Sequence, residues 1–401
     1  MTALIRFFWI LSLGRVQGII QLRPHTDGSS TREYSTYVHR AILDGLGNQT
    51  GAGFMLAHYP LRLGLDVLLA SANGATADEV RRGLNVSQSK YPGPIVREKI
   101  PRDTFLNMSY VGAYISSKLN PREEYLTKIQ RMGAEVVRSE DFTFNHLLRK
   151  LVNIAAAPHL NFRLLPDIPR GRNQTNEVFL IAAGSFRGAF SDAGFEKENR
   201  QMIPFNVDER RRTLVETMYS PTRKRQVAQL PKLRSRMLLL PFENSRVRFM
   251  ILLPDQIKGL FQLEKALEFV DLRSLLAEQF DKRHYDISLP VISMETVIYL
   301  GDKLQGIGIK KAFHSSEADL SQITGSRNPW VARFLHTTKL KLAEGGINFQ
   351  QLPDVTLVRH DEGPGSAHFF ASHPFFFALL DDDNIYATGR YGFIEGRWDD
   401  E

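Results

Sequence analysis

Cysteine is absent from this 401-residue chain. That one absence excludes disulfides, thiolate zinc sites, iron–sulfur clusters and thiol catalysis together. The 19 Pro and 29 Gly are too few for a collagen-like or low-complexity chain. No apolar run approaches the ~20 residues that span a bilayer. The 11 histidines include no His-x-x-x-His pair with an adjacent glutamate, so a helical zinc site is not expected. Gly306-Ile307-Gly308 lacks the third glycine of a phosphate cradle and reads as a turn. In Gly184-Ser185-Phe186-Arg187-Gly188 the serine takes the second place and not the centre of a nucleophile turn, so the segment reads as the end of a buried strand. The expectation is a chain with no catalytic centre, no metal and no cofactor.

What is present is a globular composition, 43% hydrophobic and 24% charged, long enough for a large core or for two to three domains. Lys+Arg 51 against Asp+Glu 44 leaves a net charge of +7. Two short runs carry much of it, Arg210-Arg211-Arg212 and Arg223-Lys224-Arg225, on either side of a strand-like stretch. They read either as a solvated basic face or as a patch for a sulfated glycan or other polyanion. No helix-turn-helix, zinc finger or aromatic-interleaved platform accompanies them, so nucleic acid is not an expected partner.

The first residues run Met1 to Arg6 with one positive charge, then Phe7 to Gly14 as a short apolar stretch, then Arg15-Val16-Gln17-Gly18. This is the layout of a secretory signal peptide cleaved after Gly18, leaving residues 19–401 as a soluble, secreted chain. Four acceptor triplets, at Asn48, Asn85, Asn107 and Asn173, agree with an extracellular glycoprotein.

Helical spacing covers Tyr34 to Leu46, with Tyr37, Val38, Ile42 and Leu46 as the buried stripe, and a strongly apolar helix covers Leu61 to Ala72. Asn73-Gly74 stops that helix, and Thr76 with Glu79 three residues on predicts a capping box for the next. Residues Ser87 to Arg102 read as loop, Thr104 to Ile115 as strand, and Pro121 to Met132 as a helix closed by Gly133. The C-terminal half reads as strands at Val178 to Ala183, Met237 to Leu240, Phe249 to Leu253, His284 to Leu289, Phe334 to Leu342, Phe375 to Leu380 and Ile385 to Thr388. Helices are expected at Leu260 to Phe269, Leu272 to Glu278 and Val297 to Gly306, and Asp381 to Asn384 as a hairpin turn. Without a βαβ rhythm, mixed sheets of an α+β fold follow.

Several stretches in their order resemble the serpin family. Phe369 to Phe377 with Gly389-Arg390 is similar to its C-terminal signature, departing at Ser372, where an acidic residue is usual. Leu240-Pro241-Phe242 with Met250 to Pro254 and Gly259 to Glu264, and Leu304 to Leu320, match two further segments. Upstream, Asn73 to Glu79, Gly133 to Val136 and Phe186-Arg187-Gly188 fall where expected. The resemblance spans about residues 34 to 395 and implies one monomeric domain over residues 19–401, with three β-sheets wrapped by eight or nine helices.

It also implies an exposed reactive-centre loop over about residues 344–368. In an inhibitory serpin a protease cleaves this loop, which then inserts as a new central strand and drags the acyl-enzyme with it. Glu344, Gly345, Gly346 and Ile347 form the implied hinge. With Gly346 as the hinge glycine the scissile bond follows His360; with Gly345 it follows Arg359, the only Arg or Lys between Glu344 and His373. Cleavage after Arg359 suits a trypsin-like serine protease, whose acidic pocket takes a cation. Family inhibitors carry Thr or Ser after the hinge glycine and then small residues, whereas this chain has Ile347-Asn348-Phe349-Gln350-Gln351-Leu352-Pro353. The polar sheet-opening network of the family is also depleted: Ala57, Pro60 and Ala182 replace its serines and asparagine, and only His336 is kept. The resemblance therefore implies either a non-inhibitory serpin that binds a protein, glycan or small ligand, or a suicide inhibitor with Arg359 as bait.

Overall fold

The structure, a computed structural model, describes residues 38–40, 42–44, 53–84, 106–139, 177–191, 194–195, 199–326, 329–347 and 367–392. Its central sheet is built from β2 (Leu106–Ser116), β3 (Glu135–Ser139), β4 (Glu177–Ala189), β11 (Ile292–Tyr299), β12 (Trp330–Ala343) and β13 (Gly346–Ile347), in the order β11-β12-β13-β4-β2-β3. A second six-stranded sheet runs β1-β16-β15-β9-β8-β7, from β1 (Phe54–Ala57), β7 (Gln226–Leu230), β8 (Ser235–Pro241), β9 (Arg248–Pro254), β15 (Phe375–Leu380) and β16 (Ile385–Tyr391). The third sheet, β14-β10-β6-β5, contains β5 (Gln201–Asn206), β6 (Arg212–Lys224), β10 (His284–Pro290) and β14 (Ala367–Phe370). Three sheets with helices against them is the α+β arrangement the sequence led us to expect.

Helix α1 (His58–Ser71) is buried on all sides except at Arg62, which is why its sequence shows little amphipathic contrast. It lies under the central sheet at very close range. A Cβ on Gly64 would stand 2.7 Å from the Phe334 ring, and one on Gly184 of β4 would stand 2.4 Å from Cβ of Ala57. Helix α3 (Glu123–Met132) buries Tyr125, Leu126, Ile129 and Met132 and ends at Gly133 with φ +107°, the left-handed cap its glycine supplies. Between them, α2 (Gly74–Gly83) is capped by Asn73, whose Oδ1 accepts from Gly74 N.

Two local expectations are overturned. Thr76 and Glu79 form no capping box. Thr76 Oγ1 accepts from Asp319 N, and Glu79 Oε2 accepts from Lys310 N and Lys311 N, so both side chains tie α2 to a distant loop. The helix expected over Val297 to Gly306 begins only at Leu300; residues up to Tyr299 complete β11 against β12, and α5 (Leu300–Gln305) follows α4 (Leu260–Leu267) in the chain. Short α6 (Ser321–Thr324) precedes β12.

Candidate functional site

Of the hinge predicted at Glu344 to Ile347 only Gly345 is exposed; Glu344, Gly346 and Ile347 are buried. Ile347 is fully buried, and Gly346 and Ile347 form β13 between Ala343 and Leu342 of β12 on one side and Ala189 and Gly188 of β4 on the other. Backbone pairing with two strands at once draws the first loop residues into the sheet. Only glycine fits at 346: its φ is +119°, and a Cβ would stand 2.1 Å from the Gly188 carbonyl oxygen. Below this wedge, β12 and β4 pair directly in parallel, with His336 opposite Ala182 and Thr338 opposite Gly184.

A buried ion pair fixes the turn above the wedge. Arg200 Nε and Nη2 donate to Glu344 Oε1 and Oε2 at 2.7 and 2.6 Å, a parallel fork, while Nη1 donates to Glu216 Oε1 at 2.7 Å. Two carboxylates on one guanidinium hold the Arg200 pKa above its ordinary value, first through the Glu344 hydrogen bonds. Phe190 N also donates to Gly345 O at 3.3 Å.

Halfway down the seam the depleted network reappears through backbone atoms. His336 Nε2 accepts from Ala57 N at 3.1 Å, and Nδ1 donates to Ala182 O at 3.0 Å. Ala57 and Ala182, chosen as positions that lost polar side chains, thus supply the partners as main chain. Thr338 Oγ1 donates to Met55 O, and Thr296 Oγ1 accepts from Met55 N, so β1 hangs under β11 and β12 by three bonds. Thr296 and Thr338 face each other across those strands, a pairing the sequence search passed over.

The His336 geometry admits only the neutral ring, because Nε2 must accept. Burial lowers its pKa to about 4, and burial with the nearby His39 and His336 lowers that of His58 to about 3, from 6.5. Between pH 6.5 and these values the unfolded chain binds protons that the folded one does not, so stability falls as pH falls. From pH 7 to pH 5 each histidine should cost about 2 kcal/mol. Urea midpoints across that range should drop steeply, and less so for His336→Gln; a flat profile would contradict the pinned tautomer.

The other sequence-selected residues do not gather here. Arg212 and Lys224 are the two ends of the 13-residue β6, up to ~40 Å apart along the strand at about 3.3 Å per residue, so the two basic runs sit at opposite strand ends. Arg225 leaves the surface altogether, buried and bonded to Ser220 Oγ, and Arg211 pairs with Asp208 at 2.7 Å. Arg210 and Arg223 belong to these separated ends. Asn107 lies in paired β2 opposite Phe186, not in the surface loop an acceptor triplet implies. Arg359, His360, Asn48, Asn85, Asn173 and residues 1–18 lie outside the described residues.

The wedge, the seam and the three sheets meet an independent finding: the family description "Serpin (serine protease inhibitor)" matches residues 48–391. The chain belongs to the serpin family. This serpin is 28% identical to human leukocyte elastase inhibitor over 281 residues, 67% of this chain and 72% of that one. It is 29% identical to chicken (Gallus gallus) ovalbumin over 212 residues, 53% of each chain, so that match spans about half of ovalbumin's length. Human thyroxine-binding globulin has the same fold, with TM-score 0.73 at 16% identity over 90% of this chain and 97% of that one. The fold is thus shared with a thyroxine-binding globulin, while the sequence relatives include an elastase inhibitor and ovalbumin.

Proposed function

We propose that this serpin works by binding and does not trap proteases. The supporting observation is the register of the seated hinge. Ile347 pairs with Leu342 and Gly188, so each further residue inward moves one step along both neighbours. Phe349 would meet Leu340 and Phe186, Gln351 would meet Thr338 and Gly184, and Pro353 would meet His336 and Ala182. Ile347 faces the core, so Phe349, Gln351 and Pro353 share its inward row. Gln351 would come down where Gly184 already touches Ala57, leaving its amide without partners at a cost on the order of 1–3 kcal/mol. Pro353 has no N–H for the ladder and belongs on an edge, not in a central strand. A new strand would also part β12 from β4 by another ~4.8 Å and break the His336 bond to Ala182.

The runner-up, a suicide inhibitor of a trypsin-like serine protease cut after Arg359, draws support from the same hinge, since Ile347 has already entered without a polar partner lost. Denaturing electrophoresis separates them. Incubation with a trypsin-like protease should give a cut chain and active enzyme; a denaturant-resistant complex of the two would install the inhibitor reading.

A non-catalytic, secreted role completes the proposal. The apolar stretch at Phe7 to Gly14 and the acceptor triplets at Asn48, Asn85 and Asn173 support export. Mass spectrometry of protein released by expressing cells should find a chain beginning near Ile19 with glycan mass on at least two of the four acceptors; an intact Met1 and a bare chain would refute it.

A further inference from the structure

Away from the seam, the end of α1 leaves a hollow of about 500 Å³, within the range of small-molecule sites. Its floor is Leu69, Ala70 and Ala72, each 6–9% exposed and otherwise packed into the main core. Arg81 of α2 and Lys128 of α3 stand at the rim, with the amides of Asn73 and Gln322 between them. The hollow therefore joins four chain segments that diverge around two alanines. The hollow is open to solvent, and larger side chains at 70 and 72 would narrow it.

We infer that this hollow binds a small amphipathic carboxylate, its acid between Arg81 and Lys128 and its apolar body on the Leu69–Ala72 floor. Among the described residues no carboxylate lines the hollow itself, and Asp78 at its rim is already paired with Arg81. Lys128 is exposed and has no acidic partner among the described residues. Arg81 Nη1 donates to Asp78 Oδ1 at 2.7 Å, an exposed pair that leaves the other donors of its fork for a ligand. A fully hydrated anion such as phosphate would gain nothing from three apolar side chains, and an uncharged chain would leave both cations unused. Only a molecule with both parts uses the whole lining, its chain leaving water for the apolar floor.

The inference is independent of loop insertion, so either can fail alone. Calorimetric titration of the full-length protein with decanoate, below its micelle concentration, should give one saturable site and a raised melting temperature. Decanol, decyltrimethylammonium and inorganic phosphate should each bind at least tenfold more weakly. Lys128→Glu, a surface change, should weaken decanoate at least tenfold, and Ala70→Phe should abolish binding if its thermal unfolding remains cooperative. Equal binding of decanol and decanoate, or unchanged decanoate affinity in Lys128→Glu, would overturn the inference.

Discussion

Cutting the loop after Arg359 is expected to leave the melting temperature within a few degrees of that of the intact protein. A strand added to the middle of the central sheet would contribute about 1 kcal/mol per residue through ladder bonds and burial, roughly 12 kcal/mol over a dozen residues. At about 1.2 °C per kcal/mol for a chain of 401 residues, that is a rise of roughly 14 °C. In this chain the gain is opposed at every second position. Gln351 descends onto the Gly184–Ala57 contact, Pro353 arrives at the His336–Ala182 bond, and Phe349 must be fitted between Leu340 and Phe186 in a row already packed. Differential scanning calorimetry before and after limited trypsin treatment, with the cut verified by mass, reads the difference directly. A rise above ~8 °C would mean that the strand enters despite these residues, and the binding reading would fall.

Arg200→Ala is expected to be the most damaging single change outside the apolar core. It leaves the Glu344 carboxylate buried at 8% exposure without its guanidinium, and breaking a buried pair from one side costs about 3–5 kcal/mol. For a chain of this length the melting temperature should fall by roughly 4–6 °C. The hinge amides at Gly346 and Ile347 should then exchange hydrogen faster, because the turn that seats them has lost its anchor. Replacing both partners, Arg200→Met with Glu344→Leu, should recover much of the loss, since two apolar groups carry no unpaired charge. Unchanged melting in Arg200→Ala would show that the backbone pairs of β13 suffice alone.

How much of this was legible in the sequence depends on how local the cause is. Phe375 to Leu380 reads as a strand because all six residues are apolar, and the structure buries all six. Gly133 ends α3 by its own conformational freedom. Val297, Leu300 and Leu304 sit at helical spacing, yet Val297 belongs to β11 because Thr337 lies across from it, a fact no window of twenty residues contains. Thr76 and Glu79 have the spacing of a cap and are claimed instead by backbone amides more than 200 positions away. The seam was half visible. Gly346 and His336 stood out by residue type, but Arg200 lies in a mixed-charge run and is 144 positions from Glu344. Nothing in its neighbourhood marks it.

The seated pair Gly346–Ile347 also bears on what happens when many copies of the protein share a small volume. Two strands that diverge at one end offer a berth of fixed width and direction, and any extended peptide of suitable side chains, including one from a neighbour, could lie in it. Donation from molecule to molecule in that manner has no closing symmetry and grows without limit. Here the berth is occupied at its entrance by the molecule's own chain, with a glycine so tightly enclosed that no other residue could take its place. A neighbour's strand would first have to evict a buried isoleucine and break the Arg200 anchor. The same two residues that begin the loop thereby keep one copy of the protein from becoming the first link of a fibre.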